Sequence, residues 1–218
     1  MAGITYLNLP IIEPGLTQKL IEEGLKIPNY TMPGNFEAQL HGRPGITNSN
    51  TDNWGASLKQ NYRGEVADGS IYKLPQQCVD DLIEQFQPYF KHDIFPTLVK
   101  FHNNTGEPMG DCGPHCDAWR TVGINYHLQL GGENVITCSY AQTRKDWSNL
   151  LTDGENAKYN DVDLLCEHHV PANTWHVLDV QRYHAVHNVE HDRIFVSLAY
   201  AEQIPYRDFL KQYSDLII

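Results

Sequence analysis

The residues best equipped for chemistry in this chain are His115, Asp117, His184 and Arg193. Two imidazoles and one carboxylate on one face of a metal, with the opposite positions open, suit a ferrous ion that must still bind other molecules. The guanidinium that follows the second imidazole offers a planar, bidentate partner for an acidic cosubstrate. In an extended segment the side chains at i and i+2 project together. His115 and Asp117 therefore share a face, and Cys116 points away from it.

Parity also sorts the histidines of the C-terminal half, at 168, 169, 176, 184, 187 and 191. In a strand over 183–189, His184, Val186 and Asn188 share one face, and Ala185, His187 and Val189 take the other. Arg193 opens the next strand, and a tight turn over 190–192 lets His184 and Arg193 face one interior. His187 then points outward or stands behind the ligands. A rival site is zinc held by Cys112, His115 and Cys116. Structural zinc needs four closed ligands, however, and no second Cys/His pair stands at a suitable spacing.

The elements that must position these residues are legible in the pattern. Leu16, Leu20, Ile21 and Leu25 recur at helical spacing, as do Val79, Leu82, Ile83, Phe86 and Phe90 after Pro75. Residues 29–74 are rich in Pro, Gly and Asn, with strand-like pieces around 54–62 and 70–74. From residue 97 the texture becomes strands separated by turns: Thr97–Asn103, Thr121–Leu130, Asn134–Tyr140, Asp163–His169, Thr174–Val180, Tyr183–Val189 and Arg193–Ala201. Gly110 to Pro114 reads as a loop leading to the His115/Asp117 pair. The polar stretch 142–161 reads as a surface loop, His168-His169 as solvated, and Trp119, Trp147 and Trp175 as core or pocket wall. Short strands with no intervening helices imply an α+β fold, mainly β, with an antiparallel sandwich or jelly-roll core braced on one sheet by the N-terminal helices. The organisation expected is one domain over 1–218: a helix-containing part (1–96), a β-core with the site (97–202) and a C-terminal tail (203–218).

His115-Cys116-Asp117, followed by His184-Ala185-Val186-His187-Asn188-Val189 and then Arg193, resembles the Fe(II)/2-oxoglutarate-dependent dioxygenase superfamily. Its signature is H-x-D, a distal His in an H-x-V setting, and a basic residue further on. The likeness extends to Gly123-Ile124-Asn125-Tyr126 and to Trp175-His176-Val177-Leu178-Asp179, and covers roughly residues 97–202. It implies a double-stranded β-helix (cupin-like) core, with Fe(II) held by His115, Asp117 and His184, and 2-oxoglutarate as cosubstrate paired through Arg193. Phe195 stands where some members carry a Ser, so Asn125 or Tyr126 is implied as the second carboxylate contact, Asn125 preferred. Hydroxylation by dioxygen of a small-molecule or peptidyl substrate is the implied reaction. The alternatives are a jelly-roll binding module without catalysis and a cupin-like metalloenzyme that does not use 2-oxoglutarate.

Composition narrows the partners. The formal net charge of −11 argues against a general nucleic-acid binder, which needs a basic face. No stretch approaches the ~20 apolar residues of a membrane span, and the start shows no charged n-region followed by an apolar run. The 5 cysteines form no disulfide rhythm, so reduced, mostly buried thiols and a cytoplasmic setting are expected.

Overall fold

The strand Val122–Gln129 buries every side chain through Leu128, because both of its faces are covered. Val122, Ile124, Tyr126 and Leu128 pack beneath helices in the largest apolar cluster. Gly123, Asn125 and His127 alternate with them and turn to the other side, into the space between two sheets.

The computed structural model describes residues 3–26, 63–65, 71–101, 110–117, 120–145, 155–200 and 204–218. The elements in chain order are β1 (Ile4–Tyr6), α1 (Pro14–Lys26), β2 (Arg63–Glu65), β3 (Ile71–Lys73), α2 (Gln76–Phe86), β4 (Ile94–Phe101), β5 (Gly110–Cys116), β6 (Val122–Gln129), β7 (Ile136–Thr143), β8 (Glu155–Asn156), β9 (Leu164–His168), β10 (Trp175–Asp179), β11 (Arg182–Val189), β12 (Arg193–Tyr200) and α3 (Tyr206–Gln212). The strand piece expected over 54–62, Trp119 and Trp147 lie outside the described residues; the piece around 70–74 is β3, paired with β2.

Two five-stranded sheets carry the fold, in the orders β1-β10-β6-β12-β4 and β8-β5-β11-β7-β9. The pairings within both are antiparallel. The chain is thus α+β and mainly β. From β4 to β7, and again from β9 to β12, each connection carries the chain from one sheet to the other. The segment after β5 and the turn after β10 lie side by side at one end, joined by the Asp117 amide donating to the Val180 carbonyl at 2.9 Å. At the opposite end the Gly131 carbonyl accepts from the amides of Glu190 and His191, both at 2.8 Å, clasping the β6–β7 and β11–β12 turns.

The helices cover the outer face of the first sheet. In α2, Cys78, Val79, Leu82 and Phe86 are buried, while Asp80 and Asp81 lie off the stripe and accept from Gln76 and Gln77 one turn earlier. Phe86 meets Trp175 edge-on at 4.7 Å between centroids, and the indole N–H donates to the Pro10 carbonyl at 2.9 Å. Trp175 is therefore core. The stretch 203–218, expected as a tail, instead contains α3, whose Tyr206 and Phe209 are buried. Gly110 to Pro114, expected as a loop, lies within β5: pairing to β11 overrides the Gly and Pro content, at the expense of register shifts along the pair.

Helix α1 reaches β12 through Gly24, where an added Cβ would stand 2.7 Å from the Ile194 side chain. Gly15, at the other end of the same helix, has nothing within 4 Å of that position. We predict that Gly24→Leu lowers unfolding stability by about 1–3 kcal/mol through overpacking. Gly15→Ala should leave stability unchanged or raise it by up to ~1 kcal/mol through helix propensity. Urea midpoints of the two variants check both signs.

Candidate metal centre

His115 stands near the end of β5, and Asp117 follows it where the chain leaves the second sheet. His184 on β11 is the direct cross-strand partner of His115, with ring centroids 4.1 Å apart. Asp117 Oδ1 lies 3.5 Å from Nε2 of each imidazole. One ligand atom from each residue falls within 4.8 Å of the others, and all three residues are buried. Ligands bound at 2.0–2.2 Å and set at right angles stand roughly 3 Å apart, so modest side-chain adjustment closes this set around one ion. It is the one cluster among the described residues that brings together three such side chains. Cys116 lies on the other face, fully buried with Cys138, Tyr140 and Tyr183, as parity requires. Its thiol donates to the Gln181 carbonyl at 3.4 Å, which takes it away from the imidazoles and removes it from a zinc set with His115. The Cys112 side chain is outside the described residues.

The carboxylate is the most constrained of the three. Asp117 Oδ2 accepts from Arg120 Nε at 2.6 Å, and Arg120 Nη1 donates on to Ser197 Oγ at 2.5 Å. The Asp117 carbonyl accepts from Arg144 Nη1 and Gln181 Nε2, both at 3.1 Å. Gln181 also donates to the Arg120 carbonyl at 2.5 Å. Burial by itself pushes the carboxyl pKa up, but the Arg120 cation, with the His115 and His184 imidazoles beside it, outweighs burial and holds the group well below the usual carboxylate range. The two oxygens thus have separate tasks. Oδ2 is held by arginine, and Oδ1 turns to the imidazoles.

His184 is oriented from behind: Nδ1 lies 3.1 Å from the Arg182 carbonyl. That contact places the ring proton on Nδ1 and leaves the Nε2 lone pair toward Asp117 and His115. Burial, reinforced by the neighbouring His115 and opposed by Asp117, lowers the pKa of His184. A neutral imidazole is the form that ligates a metal.

Arg193 enters the same gap from the facing sheet, near its opposite end. It is buried. Its Nη2 donates to His127 Nε2 at 2.8 Å and reaches Thr137 Oγ1, on the second sheet, at 3.5 Å. Gly131 makes the approach possible: its φ is +85°, and a Cβ there would meet Arg193 Cβ at 2.8 Å. Thr137 lies two residues from Ser139, the cross-strand partner of His184. One same-face step on an antiparallel strand is about 7 Å, and that is the offset along the sheet between the imidazole row and the guanidinium. Asn125 sits between the two ends, paired to Ser197 on one side and His176 on the other. Asn125 Oδ1 and Ser139 Oγ are buried without a hydrogen-bond partner in the protein, which marks the gap as fit for a polar guest. Tyr126, the other candidate beside Arg193, belongs to the helix-packed core on the opposite face.

Two residues of this gap were not singled out from the sequence as part of the site. His127 touches Arg193, and His176 stands against His127 with centroids 4.9 Å apart. The available signal was period two: both share the parity of the gap-facing residues on their strands. His187 lies instead on the outer side of its sheet, 5.5 Å from the Tyr159 ring. His168, expected in solvent, is part-buried with Nε2 3.1 Å from Cys166 Sγ.

No family model matches the chain, and no curated protein matches it. Among solved structures it is similar to E. coli ycfD at 10% identity with a TM-score of 0.37, over 64% of this chain. The chain spans only 34% of that protein's length. It is also similar to the non-heme monooxygenase ThoJ in its nickel complex, at 13% identity with a TM-score of 0.36, over 91% of this chain and 73% of that one. Likeness this distant carries no functional argument.

Two outcomes are expected here. Replacing Arg120 by Met leaves Oδ2 of Asp117 without its cation. Divalent-metal affinity should fall by about 10–100-fold, as for other residues that orient a ligand, with Arg120→Lys recovering part of the loss; titration calorimetry with Mn(II) measures both. The second outcome concerns acid. Burial and the Arg193 cation lower the His176 pKa to about 3, against ~6.5 unfolded. Below pH 6.5 the unfolded chain therefore binds a proton that the folded one refuses. Stability is full above pH 6.5 and drops as pH falls, by about 1.4 kcal/mol per unit from this group. His127, lowered by burial and Arg193, acts with the same sign. Urea midpoints of the metal-free protein at pH 7.5, 6.5 and 5.5 should decline, and His176→Leu should flatten the slope. A midpoint constant over that range contradicts this account.

Proposed function

We propose that this chain is an Fe(II)- and 2-oxoglutarate-dependent oxygenase on a jelly-roll core, acting as a hydroxylase on a small-molecule or peptidyl substrate. The carrying observation is that a buried His115/Asp117/His184 set and a buried Arg193 face one gap about one same-face residue step apart. Two neutral imidazoles and one carboxylate suit Fe(II) and leave three of six positions open. His115, Asp117 and His184 would hold the iron and leave room on it for 2-oxoglutarate and dioxygen. When bound, the iron supplies the oxygen chemistry by which a substrate C–H, dioxygen and 2-oxoglutarate become C–OH, succinate and CO2.

The protein's own share is binding and orientation. A five-carbon diacid spans about 5 Å from end carbon to end carbon at ~1.5 Å per C–C bond. It therefore extends from the imidazole row toward Arg193, which pairs with the far carboxylate. Asn125, between the two ends, offers a polar contact along the way. The alternating strand faces keep the apolar core on the far side of both sheets, so polar side chains line the space between them.

Purified protein loaded with Fe(II) should release succinate from 2-oxoglutarate and consume oxygen. Arg193→Ala should weaken 2-oxoglutarate binding by about 100-fold, the loss of a charge-assisted pair, while Mn(II) affinity stays within about twofold. Metal affinity with no preference for 2-oxoglutarate would favour a cupin-like metalloenzyme of another kind. Absence of both would favour a binding module.

A further inference from the structure

We propose that His127 is a positioning residue for Arg193: as a neutral imidazole it accepts a hydrogen bond from the guanidinium and sets the direction in which Arg193 meets an anion. This rests on the reading of Arg193 as the carboxylate anchor. Arg193 and His127 lie on neighbouring strands, where Phe195 pairs with His127 and a register irregularity falls between Ile194 and Phe195. Arg193 is thus a diagonal, same-face neighbour of His127, and the two close to 2.8 Å.

The chemistry of the contact assigns the roles. A guanidinium only donates, so His127 Nε2 accepts and the ring carries its proton on Nδ1. That nitrogen faces the main chain of Val170 without reaching hydrogen-bond geometry. The groups around the ring agree. Arg193 stands on one side, with the His176 ring at 4.9 Å and the near-perpendicular Phe195 ring at 5.6 Å between centroids. One cation, one buried neutral imidazole and an apolar ring all disfavour a second positive charge there.

The consequence is directional. The Arg side chain is a long rotatable stem ending in a rigid fork, and fixing one nitrogen of the fork fixes the plane of the rest. Phe195 adds a ring whose centroid lies 6.0 Å from Arg193 Cζ, at the outer limit for a cation–π contact. That contact is weak and does not fix rotation about the fork's own axis. The hydrogen bond to His127 does. His127 lies outside the His115/Asp117/His184 set, so it acts through Arg193 rather than on the reacting atoms.

The test uses the full chain with Mn(II) and no oxygen, and compares 2-oxoglutarate with pyruvate, which lacks the far carboxylate. In the wild type 2-oxoglutarate should bind more tightly; equal binding would remove the anchor reading itself. Given that preference, His127→Leu should cost about tenfold or more in 2-oxoglutarate affinity, the loss of one bond to a charged group. Pyruvate affinity should be unchanged. His127→Gln, which keeps an acceptor, should recover most of the loss, and His127→Leu added to Arg193→Ala should cost nothing more. Equal losses for both ligands, or additive losses in the double variant, would overturn the positioning role. A readout independent of any ligand or variant is the 15N spectrum of His127 at neutral pH. It should show the neutral form with the proton on Nδ1; a protonated ring, or one carrying its proton on Nε2, would overturn the inference.

Discussion

The arrangement depends on a buried negative charge. Asp117 sits where water cannot solvate it, and an uncompensated carboxylate there would be protonated rather than ionised. Its surroundings prevent that. The Arg120 cation reaches one oxygen, two imidazoles face the other, and its main chain is held by Arg144, Gln181 and Val180. These groups come from different parts of the chain. Gln181 and Val180 form the turn from the first sheet to the second, and Arg144 follows β7. Compensating one carboxylate thus ties together the crossovers at that end of the sandwich.

The same alternation that builds the fold builds the site. In β6, β10 and β12 one set of alternate residues enters the helix-packed core, and the other set faces the gap. A one-residue slip would exchange the two sets, driving Asn125 and His127 under the helices and Ile124 and Tyr126 into the gap. The apolar cluster around Trp175, Phe86 and Leu82 therefore protects the position of polar residues that it never touches. Gly131 and Gly24 do related work at single points. One lets the chain pass close to Arg193, and the other lets α1 lie against Ile194.

Much of this was legible in the sequence because period two and spacing are local properties. The His115/Asp117 pair, the choice of His184 over His187 and the outward turn of Cys116 all followed from parity in a strand. What escaped depended on partners distant in sequence. Gly110 to Pro114 carries turn residues, yet it becomes part of β5 because β11 lies alongside. Ile4–Tyr6 becomes a strand because β10 offers it an edge. The buried face of α3 was present as Tyr206 and Phe209, three apart, but a helix this short has little periodicity to reveal itself. For His127, period two gave the face but not the partner: nothing in its flanks says that Arg193, 66 residues away, would lie against it.

The distribution of charge gives the gap its character. The whole chain carries a formal charge of −11, so its surface field repels large polyanions. Among the described residues that meet at Asp117 and at Arg193, the charged side chains are buried Asp117, Arg144 and Arg193 and part-buried Arg120; the buried Lys100 ammonium is balanced by Asp192. Three guanidiniums against one carboxylate leave the interior positive where the exterior is negative. A divalent ion at the His/Asp set would increase that excess. The imidazoles near Arg193 remain neutral because burial and the guanidinium itself forbid another charge, so the surplus stays concentrated at the arginine. Low-dielectric walls strengthen such a field and carry it along the gap. Under the proposed function, a small dianion would meet positive charge at both ends, at the metal position and at Arg193. An anion too large to enter would meet a surface of net negative charge. Under the proposed function, selection by size and charge together would follow from burying guanidiniums between two sheets inside a chain of net negative charge.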